Sequence, residues 1–227
     1  MRVSAAATLA AILVTVPVLA QMAPPPERVR GTIVSFAAAT QTLGVKTDAG
    51  AAITVTLLPG ARVIANQKAT LADIKPGDFV ASAGLKKADG KIHAQEVRIF
   101  PEALRGAGEG QYPMDTPNRS MTNATVEAVN GASVSAKAGT LKLTFHGSGK
   151  NAAGECIGHA TGPGKGTCTG QTEIVVGPDV PVMKWILGDT SWLEKGKAVS
   201  LLAMRGNDGK LSTHGVVVEH DGLKPLL

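Results

Sequence analysis

Residues 59–99 read PGARVIANQKATLADIKPGDFVASAGLKKADGKIHAQEVRI, and residues 178–218 read PDVPVMKWILGDTSWLEKGKAVSLLAMRGNDGKLSTHGVVV. A constant offset of 119 lays the second on the first without a gap. Pro59 then meets Pro178, Val63 meets Val182, Gly77 meets Gly196 and Val80 meets Val199. Asp89-Gly90-Lys91 meets Asp208-Gly209-Lys210, and Val97 meets Val216. Ile74, Ile92 and Ile99 meet Leu193, Leu211 and Val218. The shared positions are turn glycines and apolar residues, which a shared backbone would require. An internal repeat is therefore the first expectation.

The starts of the copies match at a smaller offset. Thr32-Ile33 corresponds to Thr125-Val126, 93 residues on, so the second copy carries 26 (119 − 93) extra residues. They are expected between Gly139 and Glu173. Short β-branched or alternating runs at Val29 to Phe36, Thr42 to Lys46, Ile53 to Leu57, Phe79 to Ala83 and Ile92 to Phe100 predict strands. The Asp-Gly pairs of KADGK and NDGK supply the positive φ that a tight hairpin needs. Lys68 to Ile74, with its counterpart Leu187 to Leu193, predicts a short helical turn. The fold class is thus all-β: two tandem small OB-like β-barrels related by the repeat. A β-sandwich is the alternative. The barrels are placed at 28–100 and 122–222, the second with a cysteine-bearing insertion near 140–172. Between them, 101–121 is rich in Gly, Pro and polar residues and reads as a linker. Its Leu104, Tyr112 and Met114 predict an ordered strap rather than a free tether.

The chain opens with Arg2, an uncharged apolar stretch from Val3 to Leu19, and small or β-branched residues at Val18-Leu19-Ala20. That is the pattern of a signal peptide over 1–20, cut after Ala20. No later run is long and apolar enough to span a bilayer, so no stable membrane span is expected after cleavage. The expected location is periplasmic or secreted. The formal charge of +5 is dispersed as single Lys and Arg residues. Such a surface suits an envelope protein partner or an anionic envelope polymer. Nucleic acid is not expected, because aromatics make up only 3% and stacking platforms are scarce.

Gly31-Thr32-Ile33, Val45-Lys46-Thr47, Asp73-Ile74-Lys75-Pro76-Gly77-Asp78-Phe79-Val80, Asp89-Gly90 and Ala94-Gln95-Glu96-Val97 follow a recognisable pattern. It resembles that of a family of exported bacterial OB-like β-barrel domains of unknown function. The resemblance covers residues 28–100 and is weaker in the second copy, where Glu194-Lys195-Gly196-Lys197 replaces the K-x-G-D core. It implies a small β-barrel, an envelope location and no catalytic site.

The stretch ECIGHATGPGKGTCTG, 155–170, holds both cysteines. It fails the haem motif, since Gly158 and not a cysteine immediately precedes His159, and it fails the phosphate-loop motif at His159 and Gly166. An exported chain with one cysteine pair predicts a Cys156–Cys168 disulfide closing a β-hairpin excursion. A Cys156/His159/Cys168 metal site lacks a nearby fourth ligand. His159 and Lys165 near the tip are possible ligand contacts. Trp185 and Trp192, which match Asn66 and Asp73, could line a groove or cap a barrel end. Glu102, Glu109 and Asp115 read as solvated linker charges. No catalytic residue, cofactor site or metal site is assigned, and no G-x-S-x-G elbow occurs. The expectation is a non-enzymatic envelope binding or accessory protein. The alternative is copper or zinc handling through His214 and His220.

Overall fold

The computed structural model describes residues 25–131 and 138–225. The proposed signal peptide, 1–20, lies outside the described residues. The chain forms strands β1 (Glu27–Ala37), β2 (Thr42–Thr47), β3 (Ala52–Ala69), β4 (Phe79–Lys86), β5 (Ile92–Ile99), β6 (Gly110–Pro113) and β7 (Arg119–Asn130). It continues with β8 (Gly139–Gly147), β9 (Gly149–Lys150), β10 (Cys156–His159), β11 (Cys168–Val176), β12 (Val182–Gly188), β13 (Ala198–Arg205) and β14 (Leu211–Val218). Short 3-10 turns occupy Leu71–Asp73, Glu102–Leu104 and Thr190–Trp192.

The segment 28–100 does not close on itself. β1 pairs with β2, β2 with β3, β3 with β14 in parallel, β14 with β13, and β13 returns to β1. That five-stranded barrel takes three strands from the first half of the chain and two from the second. A second circuit runs from β4 to β5, β11, β8, β7 and back to β4. Its parallel β5–β11 seam is short, pairing Ile92 with Ile174 and His93 with Val175. The expected tandem arrangement is therefore corrected: each half donates its last two strands to the other half's barrel.

β3 is the reason. The strand expected at Ile53 to Leu57 continues through Pro59-Gly60 to Ala69. Residues Val63 to Ala69 pair antiparallel with β12, from Gly188 back to Val182, and beyond Ala65 the strand leaves the first barrel's β14 ladder. Leu71 and Ile74 then drop into the second core, with Val80, Val97, Val126, Leu141, Phe145 and Ile174. The first core holds Ile33, Leu43, Val55, Val63, Val199 and Val216, with Leu193 from the equivalent turn.

The registers obey the offsets of the sequence. Gly31 lies opposite Val199, and its counterpart Ala124 lies opposite Val80. Val63 pairs with Val216, and Val182 pairs with Val97. Gly77 and Gly196 adopt φ of 93° and 92°, open to glycine at no steric cost. The Gly77 N–H donates to Val126 O, and the Gly196 N–H donates to Ile33 O, both at 2.8 Å. Leu43 pairs with Val55 and Leu141 with Ile174, an offset of 98 for the second strand. The 26 extra residues thus divide into 5 (98 − 93) between β7 and β8 and 21 (119 − 98) between β8 and β11.

Shared strands should make the barrels unfold together. Leu43 and Leu141 are fully buried, one in each core. Leu43→Ala and Leu141→Ala should each cost about 2–5 kcal/mol and lower the same single calorimetric transition. Two resolved transitions, each moved by only one substitution, would contradict the exchange.

Candidate functional site

The two barrels meet where β3 crosses β12, with Asn66 opposite Trp185, residues that are 119 apart. Around this point the outer faces of the barrels form the walls of a cleft with a volume of about 460 Å³. One wall is barrel one: Arg28 on β1 sits across from Leu202 on β13, beside Ile64 and Asn66 of β3. The other wall carries Arg98, Phe100 and Ala81 from the β4–β5 side and Asn123 from β7. Phe79, Ala81 and Phe100 form a third apolar cluster outside both barrel cores, with Trp185 and Met121 packed on it. Phe100 meets Phe79 edge-on at 5.3 Å and Trp185 at 4.6 Å between ring centroids. The Arg98 guanidinium lies 5.5 Å from the Trp185 ring and bonds Glu96 at 2.7 and 2.8 Å. Those edge contacts fix the indole plane.

Among the described residues, three polar atoms of cleft-lining side chains are buried without a partner. Asn66 is 2% exposed; its Nδ2 donates to Lys224 O at 3.0 Å and its Oδ1 accepts nothing. Asn123 is 7% exposed; its Nδ2 donates to Ala107 O at 3.2 Å and its Oδ1 is likewise unused. Trp185 Nε1 has no acceptor. Each such group costs about 1–3 kcal/mol, so buried polar atoms are nearly always satisfied. All three belong to cleft-lining residues, from three strands.

A larger cavity, about 870 Å³, lies beside the excursion and has a lining of mixed charge, including Lys86, Lys91, Asp115, Arg119, Glu155 and Glu173. None of the unpartnered buried atoms belongs to its lining among the described residues. Its lining mixes polar and apolar residues, whereas the cleft has mainly apolar walls with a few polar groups, the ordinary composition of a ligand site.

The excursion is stapled by the Cys156–Cys168 disulfide, with Cα atoms 5.7 Å apart. The expected hairpin is corrected. β10 pairs with β9 and with β6 of the connecting segment, not with β11. Gly110 and Gly158 allow this approach: a Cβ on Gly110 would lie 2.1 Å from Gly158 O. Cys156 is 7% exposed and belongs to the second barrel's core, so the staple is not confined to an appendage.

Glu109 clamps the connecting segment to this region. Read from sequence as a solvated linker charge, it is 5% exposed. Its carboxylate accepts from the Gly164 N–H at 2.8 Å, the His146 N–H at 3.0 Å and His146 Nδ1 at 2.7 Å. Its carbonyl accepts from the Ala160 N–H at 2.8 Å. Burial, the largest single influence, pushes its pKa up, but the bonds from Gly164 and His146 together hold it below its ordinary value of 4.5.

Of the four expected contact residues, only Trp185 lines the cleft. Trp192 lies at the first barrel, stacked on His220 at 4.0 Å, so the two tryptophans share no groove. His159 stacks on Tyr112 at 3.8 Å, and Tyr112 lines both cavities. Lys165 is exposed at a turn bridged to Gly162. His214 lines the cleft while His220 does not. Among the described residues no group of three or more His, Cys, Asp or Glu could hold a metal ion. Sequence reasoning missed Asn66, Asn123 and Arg28. The available signal was an asparagine within each of two β-branched strand runs, an unfavoured residue there. Comparison of the chain with protein-family models, curated proteins and solved structures finds no match.

The Glu109 clamp has a pH signature. A lowered carboxylate pKa contributes stability that is present above 4.5 and is lost as pH falls through the folded value. Glu109→Gln should cost about 2 kcal/mol at neutral pH, speed amide exchange across 160–166, and flatten the acid limb of stability against pH. An unchanged acid limb in Glu109→Gln, read by denaturant titration, would remove the clamp.

Proposed function

We propose that this chain is an exported, non-enzymatic binding or accessory protein of a bacterial envelope, and that the cleft over Asn66 and Trp185 is its binding site. The proposal includes its origin: two OB-like barrels from an internal repeat, whose last two strands have exchanged. Supporting the OB-like reading are five strands per circuit and a short helical turn between the third and fourth strands of each copy. Supporting export are the apolar leader and a disulfide, which persists in oxidising compartments. Among the described residues no helix is long and apolar enough to cross a membrane.

The observation that carries the binding role is that Asn66, Asn123 and Trp185, each with a buried polar atom unpartnered among the described residues, all line one apolar cleft. A ligand meeting these atoms would offset a desolvation cost that the empty fold bears alone. Around Trp185 stand Arg98, Phe100 and Met121, groups that hold and orient rather than transfer protons.

The test uses N-phenyl-1-naphthylamine, a neutral apolar probe with one N–H. The full chain should bind it saturably at one site, and the bound state should shift one of the two indole N–H resonances, that of Trp185. The Trp192 resonance, assigned by its loss in Trp192→Phe, should stay in place. No binding, or binding that leaves Trp185 unmoved, would overturn the cleft as the site.

A further inference from the structure

We infer that the cleft is built for a small anionic amphiphile, its apolar body lying on Trp185, Ile64 and Leu202 and its acidic group at the Arg28 mouth. This inference rests on the reading of the cleft as a binding site and adds the chemistry of the occupant.

The charge at the cleft has one sign. Arg28 and Arg98 line it, and no carboxylate is among its lining residues. Arg98 is matched by Glu96 on the same strand. Arg28 is the cation left to meet a ligand: it is exposed, stands at the edge of the cavity, and faces Leu202 across the β1–β13 ladder. Arg30, two positions along β1, points from the same side of the strand, and its Nε is buried without a partner. Burial, then Arg30, then Arg98 lower the Arg28 pKa, with Glu96 and Asp115 offsetting in part. Guanidiniums gathered with that little compensation are stabilised by an added anion.

The polar atoms set the rest of the ligand. Asn66 Oδ1 and Asn123 Oδ1 can only accept, so the occupant carries an N–H or O–H. Trp185 Nε1 can only donate, so the occupant also carries an acceptor. The remaining walls are apolar, and Leu202, 51% exposed, extends them out past the mouth. A volume of about 460 Å³ falls in the range that encloses most of a drug-sized molecule, not a polymer chain. Both barrels contribute to the walls, so an occupant would bridge the exchanged halves and stabilise the whole chain by mass action.

A matched pair of probes tests this. 1-Anilinonaphthalene-8-sulfonate is N-phenyl-1-naphthylamine with a sulfonate added. The full, disulfide-bonded chain should bind the sulfonate on the order of tenfold more tightly than the neutral probe, as a charge-assisted hydrogen bond provides. Both should shift the Trp185 indole resonance. Arg28→Gln should remove the preference for the sulfonate over the neutral probe; Arg28 is exposed, so the fold should tolerate the change. Equal affinities, or a preference that survives Arg28→Gln, would overturn the anionic ligand while the cleft reading stands. Failure of both probes to move Trp185 would overturn both.

Discussion

Seven residue pairs between β3 and β12, centred on Asn66 and Trp185, hold the molecule together. Each strand belongs to one barrel at its start and points into the other at its end. Because Val63 to Ala69 are committed to this ladder, β4 cannot return to the barrel that β1 to β3 began. It completes the second circuit instead, and β13 and β14 complete the first. The cleft follows from the same constraint. The outer face of β4, where Phe79 and Ala81 would otherwise meet water, is buried under the third apolar cluster, and all residues from Phe79 to Gly84 are buried. A single barrel would leave Asn66 and Asn123 wet. The crossing brings a second wall over them and makes them unsatisfied.

The two barrels are not reinforced equally. The β3–β14 seam pairs residues on both sides of Pro59-Gly60, whereas the β5–β11 seam pairs only Ile92 and His93 with their partners. The additions of the second half gather at the weaker barrel. The disulfide, worth about 3 kcal/mol for a loop of this size, ties β10 to the start of β11. Glu109 ties the connecting segment to β8 and to the loop around Gly164. β6, inside the segment read as a linker, pairs with both β7 and β10. What looked like decoration on one barrel is part of how that barrel closes.

Most strands were legible because they are written locally. Gly90 and Gly209 take positive φ where the Asp-Gly pairs predict turns, and the apolar alternation of β1, β2, β5 and β14 faces the cores. The exchange was not legible, for a specific reason. Val97 and Val216 occupy equivalent positions in equivalent cores, so swapping them leaves the hydrophobic pattern unchanged. Pattern sets which face is buried, not which barrel buries it. Glu109 was missed because a carboxylate in a Gly/Pro-rich stretch normally stays in water. Asn66 and Asn123 were missed because polar residues on the outer face of a strand are ordinary until another surface covers them. Trp185 stood out as an aromatic added to one copy, and it is the one expected contact residue that lies in the cleft.

The central claim is the exchange, and cross-strand nuclear Overhauser contacts read it directly. Gly31 and Ala124 are equivalent positions, as are Val80 and Val199. The exchanged fold predicts contacts of Gly31 with Val199 and of Ala124 with Val80. Contacts of Gly31 with Val80 and of Ala124 with Val199 would show two contiguous barrels and contradict the account.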